Sequence, residues 1–176
     1  NWRWEVVLGA ILVQQTQWER VEQAIQRMDA RGLVAVDTLA AAPLEAVVEA
    51  IRPVAYYNAK APSLIHLAQY VQRQYHGDLV RLFDQPTPAL RQELLRLPHI
   101  GPETADAMLL YAGHHASFVV DAYLRRILGR LGVIHGLETL SYETLRQLLE
   151  AALPADLDLS AYPHLHGSRA RLFWDY

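Results

Sequence analysis

The chain has 176 residues, 52% of them apolar, a net charge of −3 and no cysteine. That length and apolar share suit one large or two small globular domains and exclude a disordered chain, while the missing thiols exclude disulfides, thiolate nucleophiles and thiolate metal sites within these residues. The negative balance gives no general attraction for nucleic acid, so a nucleic-acid binder of this composition must concentrate its cations locally, and no apolar run is long enough to cross a bilayer. Trp4 to Val13 reads as a strongly apolar helix. Gln14-Gln15-Thr16-Gln17-Trp18 interrupts it, and Glu19 to Met28 resumes the helical period. Arg31-Gly32 is a stop signal, and Asp37 or Thr38 suits the cap of a short helix. Pro43-Leu44-Glu45 opens a helix to about Ile51. Arg52 to Tyr57 forms a turn, followed by a long helix to about Tyr75 that His76-Gly77-Asp78 ends. Pro86 and Pro88 precede an amphipathic run from Ala89 to Leu97, and a second run spans Thr104 to Ala112. A basic helix runs from Asp121 to about Leu131, and Ser141 caps another that ends near Leu153-Pro154. The tail holds His164 and His166 and has room for a last short helix. No segment alternates like a strand, so the fold class is all-α, with roughly ten short helices. The chain opens on Asn1 and stops after Phe173-Trp174-Asp175-Tyr176, which reads as trimmed ends, so the lack of a targeting signal carries little weight.

The break Leu97-Pro98-His99-Ile100-Gly101-Pro102 is too short for a strand, so the unit around it reads as helix, tight hairpin, helix. Gly101 offers backbone freedom, and Pro102 suits the first helical position, where a missing N–H costs nothing. Free amides and a positive helix end at such a turn make an anion site. An αα-corner without a ligand fits the same pattern.

Leu97-Pro98-x-Ile100-Gly101-x-x-Thr104-Ala105, followed by Val119-Val120-Asp121, resembles the helix–hairpin–helix DNA glycosylases. Gln14-Gln15-Thr16-Gln17 is similar to the segment in which that family places a DNA-penetrating glutamine. Tyr56-Tyr57-Asn58-Ala59-Lys60 is similar to its second DNA-facing loop and the helix after it. The resemblance implies two helical lobes with a central DNA cleft: residues 15–117 as a six-helix lobe carrying the hairpin at about 89–113, and 1–14 with 118–176 as the other, without an iron–sulfur loop. It places Asp121 facing the cleft.

Residues that are absent narrow the implied chemistry. The endonuclease III branch attacks the sugar with a lysine where this chain has Glu103, so the Schiff-base route is closed at that position. The adenine-mismatch branch uses a glutamate where this chain has Ala10. Without cysteine no iron–sulfur cluster can form from these residues, and no cofactor is expected. Asp121 remains, as a carboxylate that can stabilise a cationic sugar and orient water, or as a plain N-cap for the next helix. One carboxylate suffices for a base that already leaves well, such as a cationic alkylated purine. Gly101-Pro102-Glu103-Thr104-Ala105-Asp106, Tyr111-Ala112 and His166-Gly167 are likewise similar to the 3-methyladenine branch.

The base pocket implied by that branch is aromatic, with Trp18, Tyr57 and Glu103 as its candidates here; Trp2 is a weaker one, and Trp4 reads as core. The amides of Ile100, Gly101 and Glu103 are expected to hold a DNA phosphate, with room for a monovalent cation at the hairpin carbonyls as in the family. His99, at the family's usual first hairpin glycine, either donates to a phosphate or distorts the turn. Arg125, Arg126 and Arg130 form a basic stripe beside Asp121, and Gln15 is the candidate plug for the gap left by a flipped base. His114-His115 and His164-x-His166 lack metal-ligand spacing, so no catalytic metal is expected. The expected function is a monofunctional glycosylase for alkylated purines, acting as a monomer on double-stranded DNA with a damaged base. It would work in the cytoplasm at the nucleoid if the source is bacterial or archaeal, with no membrane partner. The alternatives are a non-catalytic binder of DNA structure and a glycosylase for oxidised or mismatched bases.

Overall fold

A computed structural model describes residues 1–153 and 168–174; the tail positions singled out above, His164, His166 and Gly167, lie outside them. The described residues are helical, with no strand, and no helix among them is long and apolar enough to cross a membrane. Compactness divides the chain into two units, 1–100 and 101–176, whereas the resemblance implied 15–117 against 1–14 with 118–176.

The first unit holds α1 (Trp2–Leu12), α2 (Trp18–Asp29), α3 (Val36–Ala40), α4 (Leu44–Ala50), α5 (Tyr57–Tyr75), α6 (Leu79–Phe83) and α7 (Thr87–Leu94). Helix α5 is its hub, packing on α1, α3, α4 and α6. Ala61, Leu64, Leu67, Ala68 and Val71 recur every three or four residues and bury one broad stripe. A buried leucine of this kind contributes about 1.5–3 kcal/mol. Helix α5 ends where His76 turns left-handed and Gly77 N–H returns to the Val71 carbonyl. Asp78 then caps α6, accepting from Val80 N and Arg81 N. Trp4 is core, 1% exposed.

Several local expectations are corrected. Helix α3 starts after Ala35, so Asp37 and Thr38 lie inside it, and the Thr38 hydroxyl reaches back to Ala35 O. Pro88 falls in the first turn of α7, not before it, because an early helical turn needs no proline N–H. Helix α6 had no sequence signal strong enough to be read.

The second unit holds α8 (Pro102–Ala107), a π-helical turn (Met108–Ala112), α9 (Ala122–Leu131), a 3-10 turn (Leu137–Thr139), α10 (Tyr142–Ala152) and α11 (Arg169–Trp174). The single helix expected from Thr104 to Ala112 is thus an α-helix that widens into a π turn. Leu110, Phe118, Val120, Leu137, Leu145, Ala170 and Phe173 form the core. The Phe118 and Phe173 rings meet edge to face at 5.1 Å.

Among the described residues of this unit, one carboxyl group lies fully inside. Asp106 is fully buried. It accepts from Ser117 Oγ at 2.6 Å and Tyr142 OH at 2.9 Å, with Arg146 Nε 4.0 Å away. Removing one member of such a buried set strands the others. Asp106→Ala should therefore cost about 3–5 kcal/mol, read as a lower urea midpoint, and an unchanged midpoint would refute this account of the core.

Candidate active site

The hairpin is built as its sequence suggests, with one exchange of roles. His99 takes the left-handed conformation, at φ 63°, while Gly101 is ordinary extended backbone at φ −85°. Histidine enters this region more readily than most residues, so the turn forms without a glycine there. Ile100 is buried and anchors the turn, its N–H returning to Leu97 O at 3.3 Å. A Cβ at Gly101 would meet nothing within 4 Å. Neither backbone angle nor packing within the protein demands glycine there.

Within the first unit, a cavity of about 200 Å³ is lined by Gln14, Gln15, Tyr56, Lys60 and His99, among others. Gln15, Tyr56 and His99 are all left-handed, with φ between 53° and 63°. Such conformations cost on the order of 1 kcal/mol each and persist only where the surroundings hold them. Lys60 lies beneath, its ammonium bonded to Leu12 O, Gln14 O and Thr16 Oγ1. Burial lowers its pKa to about 8, which leaves it mainly an ammonium at neutral pH.

Two expected pocket aromatics stand apart from this cavity. Trp18 is 52% exposed, its indole against Gly9 and its N–H donated to Glu22 Oε1 at 2.7 Å. Tyr57 is half-buried, with the Arg52 guanidinium 5.9 Å from its ring centre. Its neighbour Tyr56 is the one that faces the cavity.

In the second unit, Asp121 caps α9, its Oδ1 accepting Leu124 N–H at 2.7 Å. It is half-buried, and Oδ2 accepts no hydrogen bond among the described residues. The preceding stretch has no ladder of its own and is pinned by side chains. Ser117 Oγ bonds Asp106, Phe118 N–H bonds Glu150 Oε1 at 2.9 Å, and Val120 N–H bonds Tyr142 OH at 3.4 Å. Glu150 is held in turn by Arg146 at 2.7 Å.

Around Asp121 the acids and phenols are shifted together. Loss of hydration, then the charge of Asp121, raises the Glu103 carboxyl above its ordinary value. Glu103 is exposed overall, so solvent moderates that shift. The same two causes raise Tyr111, and burial with the charge of Asp106 raises Tyr142. Asp121, Glu103 and Tyr111 therefore share one electrostatic neighbourhood.

The basic stripe is narrower than expected. Arg125 turns inward and donates to Leu137 O at 3.3 Å and Leu140 O at 3.2 Å, the carbonyls at either end of the 3-10 turn. Arg126 stays exposed, 5.3 Å from the Tyr123 ring centre, and Arg130 is exposed beyond it. No cluster of His, Asp or Glu able to hold a metal occurs among the described residues. Of the supporting residues, Asp106 and Lys60 had a sequence signal, since a charged group within an apolar helical stretch must have a partner, whereas Ser117 and Tyr142 had none.

Residues 8–154 match the family model described as HhH-GPD superfamily base excision DNA repair protein. A candidate DNA repair glycosylase of Methanocaldococcus jannaschii is 39% identical over 165 residues, covering 90% of this chain and 74% of that protein. The chloroplastic endonuclease III homolog 1 of Arabidopsis thaliana is 31% identical over 170 residues, covering 94% of this chain but only 43% of its own length. Among solved structures, the H. pylori 3-methyladenine DNA glycosylase bound to 1,N6-ethenoadenine superposes with a TM-score of 0.82 at 27% identity, over 96% of this chain and 78% of that one. With the hairpin and the Asp121 helix cap in place, these matches settle the family: the chain belongs to the HhH-GPD superfamily of base excision DNA repair proteins.

Proposed function

We propose that this chain is a monofunctional DNA glycosylase that removes alkylated purines of the 3-methyladenine type from double-stranded DNA by hydrolysis, with Asp121 as the catalytic carboxylate. The observation that carries the reading is the divided use of Asp121. One oxygen fixes the group to the start of α9, and the other accepts no hydrogen bond among the described residues. A carboxylate held this way can stabilise positive charge on the deoxyribose as the glycosidic bond lengthens, and can orient the attacking water. The likeness to the 3-methyladenine glycosylase supports the alkylated purine as substrate. A cationic base needs no strong acid to leave, so a single carboxylate suffices for it.

The same residues speak against a lyase. Position 103 carries a carboxyl, and Lys60, the chain's single lysine, has its three N–H groups engaged within the first unit.

For DNA, the hairpin amides of Gly101 and Glu103 hold one phosphate, the Ile100 N–H expected to join them being given to Leu97 O instead; Arg126 adds charge, and Gln15 fills the flipped-out gap. The open space at Gly101 supports this, since glycine there serves something that approaches from outside the protein.

Two experiments test the reading. Parent protein should release 3-methyladenine from methylated duplex and leave the abasic site uncut. Asp121→Asn should bind abasic duplex yet release base at least about 100-fold more slowly. Full activity in that variant would end the proposal. Gly101→Ser keeps a good helix cap and an allowed backbone, so its stability should stay within about 0.5 kcal/mol of the parent. Its affinity for duplex should nonetheless fall about tenfold, by blocking one phosphate contact; equal affinity would remove the hairpin from the DNA interface.

A further inference from the structure

Lys60 is 5% exposed, and no catalytic step proposed above uses it. An ammonium has three N–H donors. All three are taken, by Leu12 O at 2.8 Å, Gln14 O at 2.6 Å and Thr16 Oγ1 at 3.1 Å. Leu12 ends α1, where carbonyls lack helical partners and a cation is favoured. Thr16 extends the network, its hydroxyl donating to Gln14 O at 3.2 Å and accepting Ala55 N–H at 3.1 Å. The buried cation therefore holds the turn at 13–17, and Thr16 Oγ1 joins that turn to the one at 52–56. Each turn carries one left-handed residue, Gln15 in the first and Tyr56 in the second, and both line the same cavity.

We propose that Lys60 is a positioning residue: through the carbonyls of Leu12 and Gln14 and the hydroxyl of Thr16, it holds Gln15 and Tyr56 as a preformed pair that enters the gap opened in the duplex by a flipped base. The inference rests on the base-flipping reading above. Its physical ground is preorganisation. A turn already fixed loses little conformational entropy when it inserts, whereas a loose one must be ordered against the stacking it displaces. Two non-glycine residues in left-handed conformations need a frame that over-determines them, and the Lys60 network holds the backbone carbonyl just before Gln15, the hydroxyl of Thr16 just after it and, through that hydroxyl, the Ala55 amide next to Tyr56.

The test reads insertion without catalysis. A duplex with a tetrahydrofuran abasic analogue opposite 2-aminopurine brightens when insertion unstacks the probe. At saturating full-length chain, Lys60→Met should cut that brightening about fivefold or more, since a misplacement near 1 Å already has large effects. Gln15→Ala should cut it similarly. The double variant should be no dimmer than Lys60→Met alone, because that variant already displaces both inserted groups. Brightening equal to the parent in Lys60→Met, or losses that multiply in the double variant, would overturn the proposal. Lys60→Met also leaves buried carbonyls without a donor, so each variant is melted first. If that variant does not fold, Thr16→Val, which keeps the ammonium and the side-chain volume, decides: dimming upholds the proposal and parent-like brightening overturns it. A parent that brightens the probe but releases no base from methylated DNA sinks the glycosylase reading and leaves this one standing.

Discussion

A carboxylate cut off from water cannot stand alone, and Asp106 is such a group. The second unit is arranged to satisfy it. Ser117 and Tyr142 hydrogen-bond its two oxygens, and Arg146 brings the compensating charge. Each partner has a second task. Ser117 lies within the irregular segment that leads to Asp121, Tyr142 takes the Val120 N–H, and Arg146 steadies the Glu150 that takes the Phe118 N–H. An extended stretch with no neighbouring strand would otherwise bury unpaired amides. The place of Asp121 is thus set by polar bonds to side chains, while the apolar core around Phe118 and Phe173 excludes the water that would weaken them.

The first unit uses the inverse arrangement. There a buried cation, Lys60, satisfies carbonyls of a turn that α1 leaves open. In both units an ionised group inside the protein fixes a non-helical segment. In both, the segment carries the residue singled out for function: Gln15 in one and Asp121 in the other. Regular helices give the frame, and the buried charges give the detail.

Much of this frame was legible. Apolar periodicity marked α5 and its end at His76, and Ser141 and Asp121 announced themselves as caps because short polar side chains bond first-turn amides. The hairpin was readable from its Pro and Gly, and the resemblance extended it to a family that the comparisons then showed. What stayed hidden depends on neighbours distant in sequence. Arg125 looks like a surface cation until the carbonyls of Leu137 and Leu140 draw it inward. Tyr56 and Tyr57 are indistinguishable in a string, and a left-handed backbone at the first decides which one faces the cavity. Glycine misled at the hairpin, since the unusual backbone belongs to His99 and the glycine serves open space.

The π turn from Met108 to Ala112 sets a limit on how this chain can change. There Gly113 N–H reaches back five residues to Met108 O, so the turn holds one residue more than an α-helix would. A π turn winds its extra residue into one wider turn, so dropping a residue here would leave an ordinary α turn. Asp106 lies on one side of the turn and Ser117 on the other. Met108, Leu109, Leu110 and Ala112 are buried, so the stretch tolerates little change in side-chain volume, and the widened turn is the place where one residue of chain is taken up between Asp106 and Ser117.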